Sequence, residues 1–180
     1  MKPNYYKYWE TCVEFIEKGE IENAENFALN IASTLTVPKD LINKIITVNL
    51  KSYEKKIEEK MPDCIQRAKI ENSDALCLYY SLDNGWDSIM YICKNYSKGT
   101  GDWISNDYTS IIDIGKARGF SGIFKKKAES AFFTDKISSG ICILLMLRTT
   151  IAFYNVAKKF KDCGLKLCIT ATESDFVRVI

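Results

Sequence analysis

The chain has 180 residues, of which 47% are hydrophobic and 27% charged, and its formal net charge is +2. This balance is typical of one globular domain, and it excludes large-scale disorder and a strongly basic nucleic-acid-binding domain. The charge is uneven, since residues 111–180 hold 12 basic and 6 acidic side chains. The last third can therefore present a basic face, although lysines that solvate helix surfaces are the more common explanation.

The cysteines and the N-terminus bear on the cellular compartment. Seven cysteines occur with no CxxC spacing, and most lie inside apolar runs. This pattern is typical of buried free thiols in a reducing compartment. The N-terminal sequence has no apolar signal region, and the longest apolar run, Ile141–Leu147, is too short to span a bilayer. We expect a cytoplasmic protein that does not enter the membrane.

The first third of the chain shows apolar residues at helical spacing. The spacing predicts one helix over about Tyr5–Ile16 and a second over about Ile21–Ala32. A third helix is predicted to begin near Pro38, because proline is favoured in the first turn. A polar helical stretch follows it, and Met61-Pro62 is predicted to end that stretch. Residues 1–62 are therefore predicted to form the helical N-terminal part of a single domain.

A β-hairpin is predicted in the middle of the chain. The runs Leu76–Leu82 and Ile89–Cys93 flank Asn84-Gly85, the dipeptide with the strongest short-range hairpin signal. Both faces of the two strands are largely apolar, which favours a central place in a sheet. The segment Asp102–Phe124 is ambiguous between strand and helix.

The last third is predicted to contain one long helix and a second hairpin. The stretch Lys136–Lys161 is apolar nearly all round in its first half, which is typical of a buried helix. The runs Leu165–Ala171 and Phe176–Ile180 predict a closing hairpin. The fold class is therefore predicted as α+β over residues 1–180: N-terminal helices, a central antiparallel sheet, one long buried helix and a C-terminal β-hairpin.

Catalytic and metal-binding motifs are absent from the sequence. The chain has no histidine, which removes the usual general base and the commonest zinc ligand. The only close cysteine pair is Cys163 and Cys168, whereas a structural zinc site usually shows two tight pairs. The stretch Ser97–Gly101 lacks the spacing of a phosphate-binding loop. The basic stretch Gly115–Gly119 could hold an anion, although an ordinary loop with solvated charges is the more common explanation. We predict no cofactor, no metal and no enzymatic activity.

Two acidic clusters with tryptophan are the most unusual feature of the chain. The first comprises Asp83, Trp86 and Asp87, in the turn of the predicted hairpin. The second, in the loop that follows the hairpin, comprises Asp102, Trp103 and Asp107. A large apolar ring in a turn is expected to be exposed, and exposed aromatic rings often belong to protein–protein interfaces. Turn formation and helix capping explain the aspartates equally well.

The same segment carries a family resemblance. The sequence LYYSLDNGWDSIMYICKNY, followed after a spacer by DWISND, resembles segments of bacterial immunity proteins from polymorphic-toxin and contact-dependent growth inhibition systems. In that class an apolar strand, an acidic turn with Trp, a second strand ending near Tyr and a DW pair recur. The resemblance implies a cytosolic, non-enzymatic protein that binds the C-terminal domain of one cognate toxin and blocks it.

The function predicted from the sequence is therefore inhibition of a toxin by occlusion of its active site or substrate groove. The predicted partner-binding residues are those of the two clusters: Asp83, Trp86, Asp87, Asp102, Trp103 and Asp107. One alternative is a small enzyme that uses these carboxylates, with or without a metal ion, and it requires them to converge in one pocket. Another alternative is a nucleic-acid-associated protein that uses the basic last third, although nucleic acid is the less favoured partner.

Overall fold

The computed structural model of the chain describes residues 5–97, 104, 106–127, 135–171 and 177–180. Within these ranges the chain forms α-helices and five β-strands. The helices are α1 (Tyr5–Glu17), α2 (Ile21–Thr34), α3 (Lys39–Thr47), α4 (Lys51–Ile70), α5 (Phe120–Lys127) and α6 (Lys136–Ala157). The strands are β1 (Ala75–Ser81), β2 (Asp87–Cys93), β3 (Tyr108–Lys116), β4 (Lys166–Ala171) and β5 (Val177–Arg178). The predicted α+β class is confirmed.

The chain divides into two compact units. The first contains Met1–Asn49 and Arg118–Ile151, and the second contains Leu50–Ala117 and Ala152–Ile180. Helix α4 therefore belongs with the sheet in the second unit, so the predicted helical part at residues 1–62 does not coincide with either unit. The assignment of residues 1–180 to one domain stays a prediction.

The five strands form one mixed sheet in the order β3-β2-β1-β4-β5. Strands β1 and β2 lie inside the sheet, which confirms the central place predicted for the hairpin. Three of the pairings are antiparallel, but β1 and β4 are parallel, with Cys77 opposite Cys168. The prediction of a purely antiparallel sheet is therefore wrong at this pairing. Helix α6 and the two strands before it separate β1 from β4 in the chain, which leaves room for a crossover to a parallel neighbour.

The hairpin pairs the two predicted runs, but its loop is longer than the two-residue turn that Asn-Gly suggests, and its register differs by one residue from the register of such a turn. Ala75 pairs with Cys93 and Ser81 pairs with Asp87, so residues 82–86 form the loop. Two successive residues of this loop, Gly85 and Trp86, have positive φ angles of 64° and 62°. The turn therefore uses the glycine where a left-handed conformation is needed, and it forces a tryptophan into the same region.

Helix α4 continues through Pro62, so the prediction that Met61-Pro62 ends the helix is wrong. Proline inside a helix costs about 3 kcal/mol because it lacks an N–H donor. The helix nevertheless buries one side along its whole length, at Tyr53, Ile57, Met61, Cys64 and Ala68. Burial of four or five such side chains, at about 1.5–3 kcal/mol for each large one, outweighs the loss at the proline.

Helix α6 confirms the predicted long buried helix, and a short 3-10 turn, Lys158–Phe160, follows it. Asp135 caps its beginning, since the carboxylate accepts hydrogen bonds from the Ser138 N–H at 2.9 Å and the Ser138 hydroxyl at 2.6 Å. These bonds hold the pKa of Asp135 below its usual value. By length and composition alone, Lys136–Phe160 is also apolar enough to cross a membrane, but 83% of its most apolar window is buried inside the protein. A buried core helix passes the same test, so this single helix is weak support for a membrane span.

The thiols provide a direct test of the core. Cys163 is partly exposed, and the other six cysteines are buried. Burial raises the pKa of Cys12, Cys64 and Cys93 to about 12, and thiols with so high a pKa react slowly at pH 8. We expect a thiol reagent at pH 8 to label one cysteine of the native chain quickly. Mass spectrometry should place that label on Cys163, and a fast reaction persisting in Cys163→Ser would contradict the burial of the others.

Candidate protein-binding face

The two faces of the central strands have different surroundings. Leu76, Leu78 and Tyr80 point to one face and are buried. Ser88, the partner of Tyr80 on β2, points to the same face, and its hydroxyl lies 2.7 Å from the Tyr53 hydroxyl of α4. Helix α4 therefore covers this face of the sheet.

The opposite face carries large side chains that are only partly covered. It presents Tyr79 of β1, Ile89 and Tyr91 of β2, and Tyr108 and Ile111 of β3; we call this set the tyrosine face. Tyr79, Ile89 and Tyr91 are partly exposed. Tyr108 is 46% exposed and Ile111 is 52% exposed. Grouped exposed side chains of this size are uncommon on a protein surface, and such groups are candidates for an interaction site.

The three tyrosine rings contact each other in a row. The ring centroids of Tyr79 and Tyr91 are 5.9 Å apart at 77°, and those of Tyr91 and Tyr108 are 5.0 Å apart at 64°. These edge-to-face contacts fix the rings, so they lose little freedom when a partner covers them. Partial burial is the largest cause that raises the pKa of Tyr91, and the neighbouring Tyr79 and Tyr108 hydroxyls raise it further.

Strand β3 adds an open edge beside these rings. It is the outermost strand, and in the described part of the chain no further strand pairs with its outer side. Its register against β2 shifts between Ser88 and Ile89 and again between Ile92 and Cys93. Such bulges twist an edge strand and limit indiscriminate pairing with other chains.

Carboxylates surround the turn end of the tyrosine face. Asp83 is exposed in the loop, and Asp87 is partly exposed at the beginning of β2. Asp113 is exposed on β3 and lies opposite Ile89, so it borders the same face. Lys116 lies opposite Asp87, and the Lys56 amine of α4 lies 3.2 Å from the position that a Cβ atom would take on Gly115 of β3. The three carboxylates on β2, β3 and the β1–β2 loop outnumber these two amines, so this end is acidic.

Trp86 is not exposed, so the prediction that its ring stands at the surface is wrong. Its exposure is 0%, and its ring lies 5.8 Å from the Tyr80 ring, on the side that α4 covers. Its backbone also holds the loop: the Trp86 N–H donates to the Ser81 carbonyl at 3.0 Å, and its carbonyl accepts from the Ala117 N–H at 3.3 Å. The positive φ turns the ring inward, which side-chain alternation along a strand does not predict.

Asp107, the described residue of the second predicted cluster, lies away from the turn. Asp107 is exposed at the beginning of β3, and its carbonyl accepts a hydrogen bond from the Lys94 N–H at the far end of β2. The six residue steps from Asp87 to Cys93 place it about 20 Å from the turn. Asp83 and Asp87 therefore do not meet Asp107 in one pocket. Asp102 and Trp103 lie outside the described residues.

The far end of the same face is closed by a small buried core. Ile104 packs there with Ala75, Cys77, Cys93 and Cys168. Tyr91 and Tyr96 pack against this group, and the Tyr96 ring lies under the Arg178 guanidinium at 5.9 Å. Among the described residues, this core covers the face at Cys77 and Cys93, whereas Tyr108 beside Cys93 stays 46% exposed.

No family model, curated protein or solved structure matches the chain. Among the described side chains, no group of three or more cysteines, aspartates or glutamates is placed to hold a metal ion. The residues of the site must therefore be judged by their own geometry.

Sequence reasoning missed Asp113, Ile111 and Tyr108 as surface residues. The segment that holds them was ambiguous between helix and strand, so their faces were undetermined. Isoleucine alternates with another residue only over Ile112–Lys116, and the adjacent pair Ile111-Ile112 breaks the pattern within strand β3. The exposure of Tyr108 and Ile111 therefore had no clear sequence signal.

Glu71 holds the end of α4 against β3. Its carboxylate accepts hydrogen bonds from the Thr109 hydroxyl, from the Ser110 hydroxyl at 3.0 Å and from Arg67 at 2.5 Å. These bonds lower the pKa of Glu71 below its usual 4.5, and the bond from Thr109 has the largest effect. A carboxyl group whose pKa is lower in the folded protein stabilises it above the usual pKa, and this stabilisation is lost as the pH falls.

We therefore expect Glu71→Gln to lower the free energy of unfolding at pH 7 by about 1 kcal/mol. The difference from the wild type should disappear as the pH falls below the usual pKa of 4.5. Chemical unfolding between pH 3 and pH 7 measures it. Glu59→Gln is the control on the same helix, because Glu59 is exposed and contacts only Lys55 at 3.6 Å. A Glu71→Gln difference that is constant across this range would contradict the assignment.

Proposed function

We propose that the chain is an immunity-type binding protein that neutralises the C-terminal domain of a cognate bacterial toxin in the cytoplasm. The tyrosine face covers the active site or substrate groove of the toxin, and the mechanism is occlusion. The observation that carries the proposal is the row Tyr79–Tyr91–Tyr108, with Ile111 beside it, on a sheet face where Tyr108 and Ile111 are about half exposed.

The side chains of this face suit a protein partner. Tyrosine is enriched among the residues that contribute most to protein–protein affinity, because it buries a large area at a small loss of conformational freedom. The rings are already ordered by their mutual contacts. Ile111, 52% exposed, adds aliphatic surface, and burial of that surface by a partner stabilises the complex.

The surrounding charges suit a cationic partner. Asp83, Asp87 and Asp113 outnumber the amines of Lys116 and Lys56 at the turn end. Grooves that bind nucleic acid or phosphorylated substrates are positively charged. Complementary charge accelerates association and selects against partners of the same sign. The toxin surface that this proposal requires is therefore a basic groove with an apolar centre.

The carboxylate-enzyme alternative required Asp83, Asp87, Asp102 and Asp107 to converge. Asp107 lies at the opposite end of β2 from Asp83 and Asp87, so the described members do not form one pocket. We therefore prefer the binding hypothesis to this alternative. The nucleic-acid alternative stays a prediction, and the acidic surroundings of the tyrosine face do not favour it there.

The test uses the protein whose gene lies immediately upstream of the gene for this chain. Its C-terminal domain, expressed alone, should arrest bacterial growth, and co-expression of this chain should restore it. The two purified proteins should form a complex with a nanomolar dissociation constant. Restoration of growth without complex formation, or no restoration, would contradict the proposal.

A further inference from the structure

A groove in the first unit has no part in the proposed function. It lies between α2, α3 and α6 and has a volume of about 220 Å³. Four aliphatic side chains form most of its wall: Leu29, Ile46, Leu144 and Leu147. Pockets for drug-sized ligands are roughly 300–1,000 Å³, so this groove accommodates a smaller molecule.

The helices approach closely at one end of the groove because of a glycine. A Cβ atom at Gly140 of α6 would lie 2.6 Å from the Val37 side chain and 3.4 Å from the Ala32 backbone. Any other residue at position 140 would force the Val37 side chain or the helix backbone to move. The arrangement of α2, α3 and α6 around the groove is therefore fixed by packing within the first unit.

Arg148 is the unusual member of the wall. It is the only charged residue between Ile137 and Ala157 of helix α6. The residues on either side of it in the helix, Leu147 and Thr149, are buried. One Nη2 hydrogen bond, 2.8 Å long, goes to the Val48 carbonyl. The Nε atom is buried and has no hydrogen-bond partner. Most of the five N–H donors of this guanidinium therefore lack an acceptor among the described residues.

A partly buried cation without a counter-ion is unfavourable, and an anion in the groove would remove that cost. Glu25 also lines the groove, but no ion pair within 4.0 Å joins it to Arg148 among the described side chains. The guanidinium is thus available to an external carboxylate, which matches its planar geometry.

We propose that this groove binds a small aliphatic carboxylate, whose acid group pairs with Arg148 and whose chain lies against Leu29, Ile46, Leu144 and Leu147. The apolar wall selects the chain, and the guanidinium selects the charge. Glu25 opposes the same charge, so its removal strengthens binding. The inference is independent of the proposed function, because the tyrosine face belongs to the other unit.

The test is a titration of the isotope-labelled full chain with sodium octanoate, followed by NMR. We expect saturable shifts at the amides of Leu29, Ile46 and Leu144. Octan-1-ol, with the same chain and no charge, should bind about tenfold more weakly, as expected for loss of a charge-assisted hydrogen bond. Absence of saturable shifts at these amides, or equal binding of the alcohol, would overturn the proposal.

Four variants separate charge from shape. Arg148→Gln should weaken octanoate binding by about tenfold or more, and Glu25→Gln should strengthen it. Ile46→Trp, at an exposed position, should fill the groove and abolish binding while Arg148 stays in place, so the test survives if Arg148→Gln does not fold. Lys44→Gln, an exposed cation on α3, is the control and should bind as the wild type does. Unchanged binding in Ile46→Trp would exclude the groove as the site.

Discussion

Trp86→Ala is expected to lower the free energy of unfolding by about 3–5 kcal/mol, and to act on stability before it acts on any partner. Trp86 is completely buried and packs against Tyr80. Removing its ring leaves a cavity beneath the hairpin loop. Chemical unfolding followed by circular dichroism measures the loss. A variant as stable as the wild type would mean that the ring is exposed, as the sequence had suggested.

The backbone at Trp86 allows a sharper comparison. Its φ of 62° lies in the left-handed region, where a residue with a Cβ is strained by roughly 1–2 kcal/mol relative to glycine. We therefore expect Trp86→Gly to be no less stable than Trp86→Ala, although glycine is normally the more destabilising of the two. A clearly lower stability of Trp86→Gly would contradict the left-handed conformation at this residue.

The double variant Tyr108→Ala, Ile111→Ala is expected to weaken binding of the toxin domain by well over about 30-fold, because a central interface residue commonly contributes about 2 kcal/mol. Both side chains are about half exposed on edge strand β3, so their truncation should leave the folded structure intact. Isothermal titration calorimetry with the upstream toxin domain measures the effect. If the unfolding curve of the double variant matches that of the wild type, the loss of affinity is due to the binding surface and not to unfolding.

The chain provides a matched control for this variant. Tyr6 is 62% exposed on α1, and Ile70 is 69% exposed at the end of α4. Tyr6→Ala, Ile70→Ala removes the same two residue types from other surfaces and should bind the toxin domain like the wild type. Equal losses in the two double variants would show that general surface hydrophobicity, and not the tyrosine face, contributes the affinity.

Local patterns predicted the parts of the fold that local forces determine. The hairpin follows from two β-prone runs around Asn84-Gly85, although not its exact register, and helix α6 follows from its apolar sequence. Pro62 was misjudged, because the burial of α4 against the sheet outweighs a local penalty. The parallel pairing of β1 with β4 joins residues about 90 positions apart and leaves no local signal.

The sequence predicted a partner surface in the turn and the following loop, whereas the tyrosine face lies on the strands themselves. The hairpin does carry an open aromatic face with carboxylates at its turn, and Asp83 and Asp87 lie there. Trp86 was assigned to the surface because a turn residue is usually exposed, whereas its positive φ directs the ring into the core. Asp107 was predicted in a separate loop, and only the enzyme alternative required it to meet the turn; the length of β2 separates the two.

The most direct test of the account compares two dissociation constants for the toxin domain encoded upstream. The first belongs to the variant Tyr108→Ala, Ile111→Ala, and the second belongs to the control Tyr6→Ala, Ile70→Ala. The account predicts a loss of well over about 30-fold in the first variant and wild-type affinity in the second. Wild-type affinity in the first variant would contradict the assignment of the tyrosine face as the binding surface.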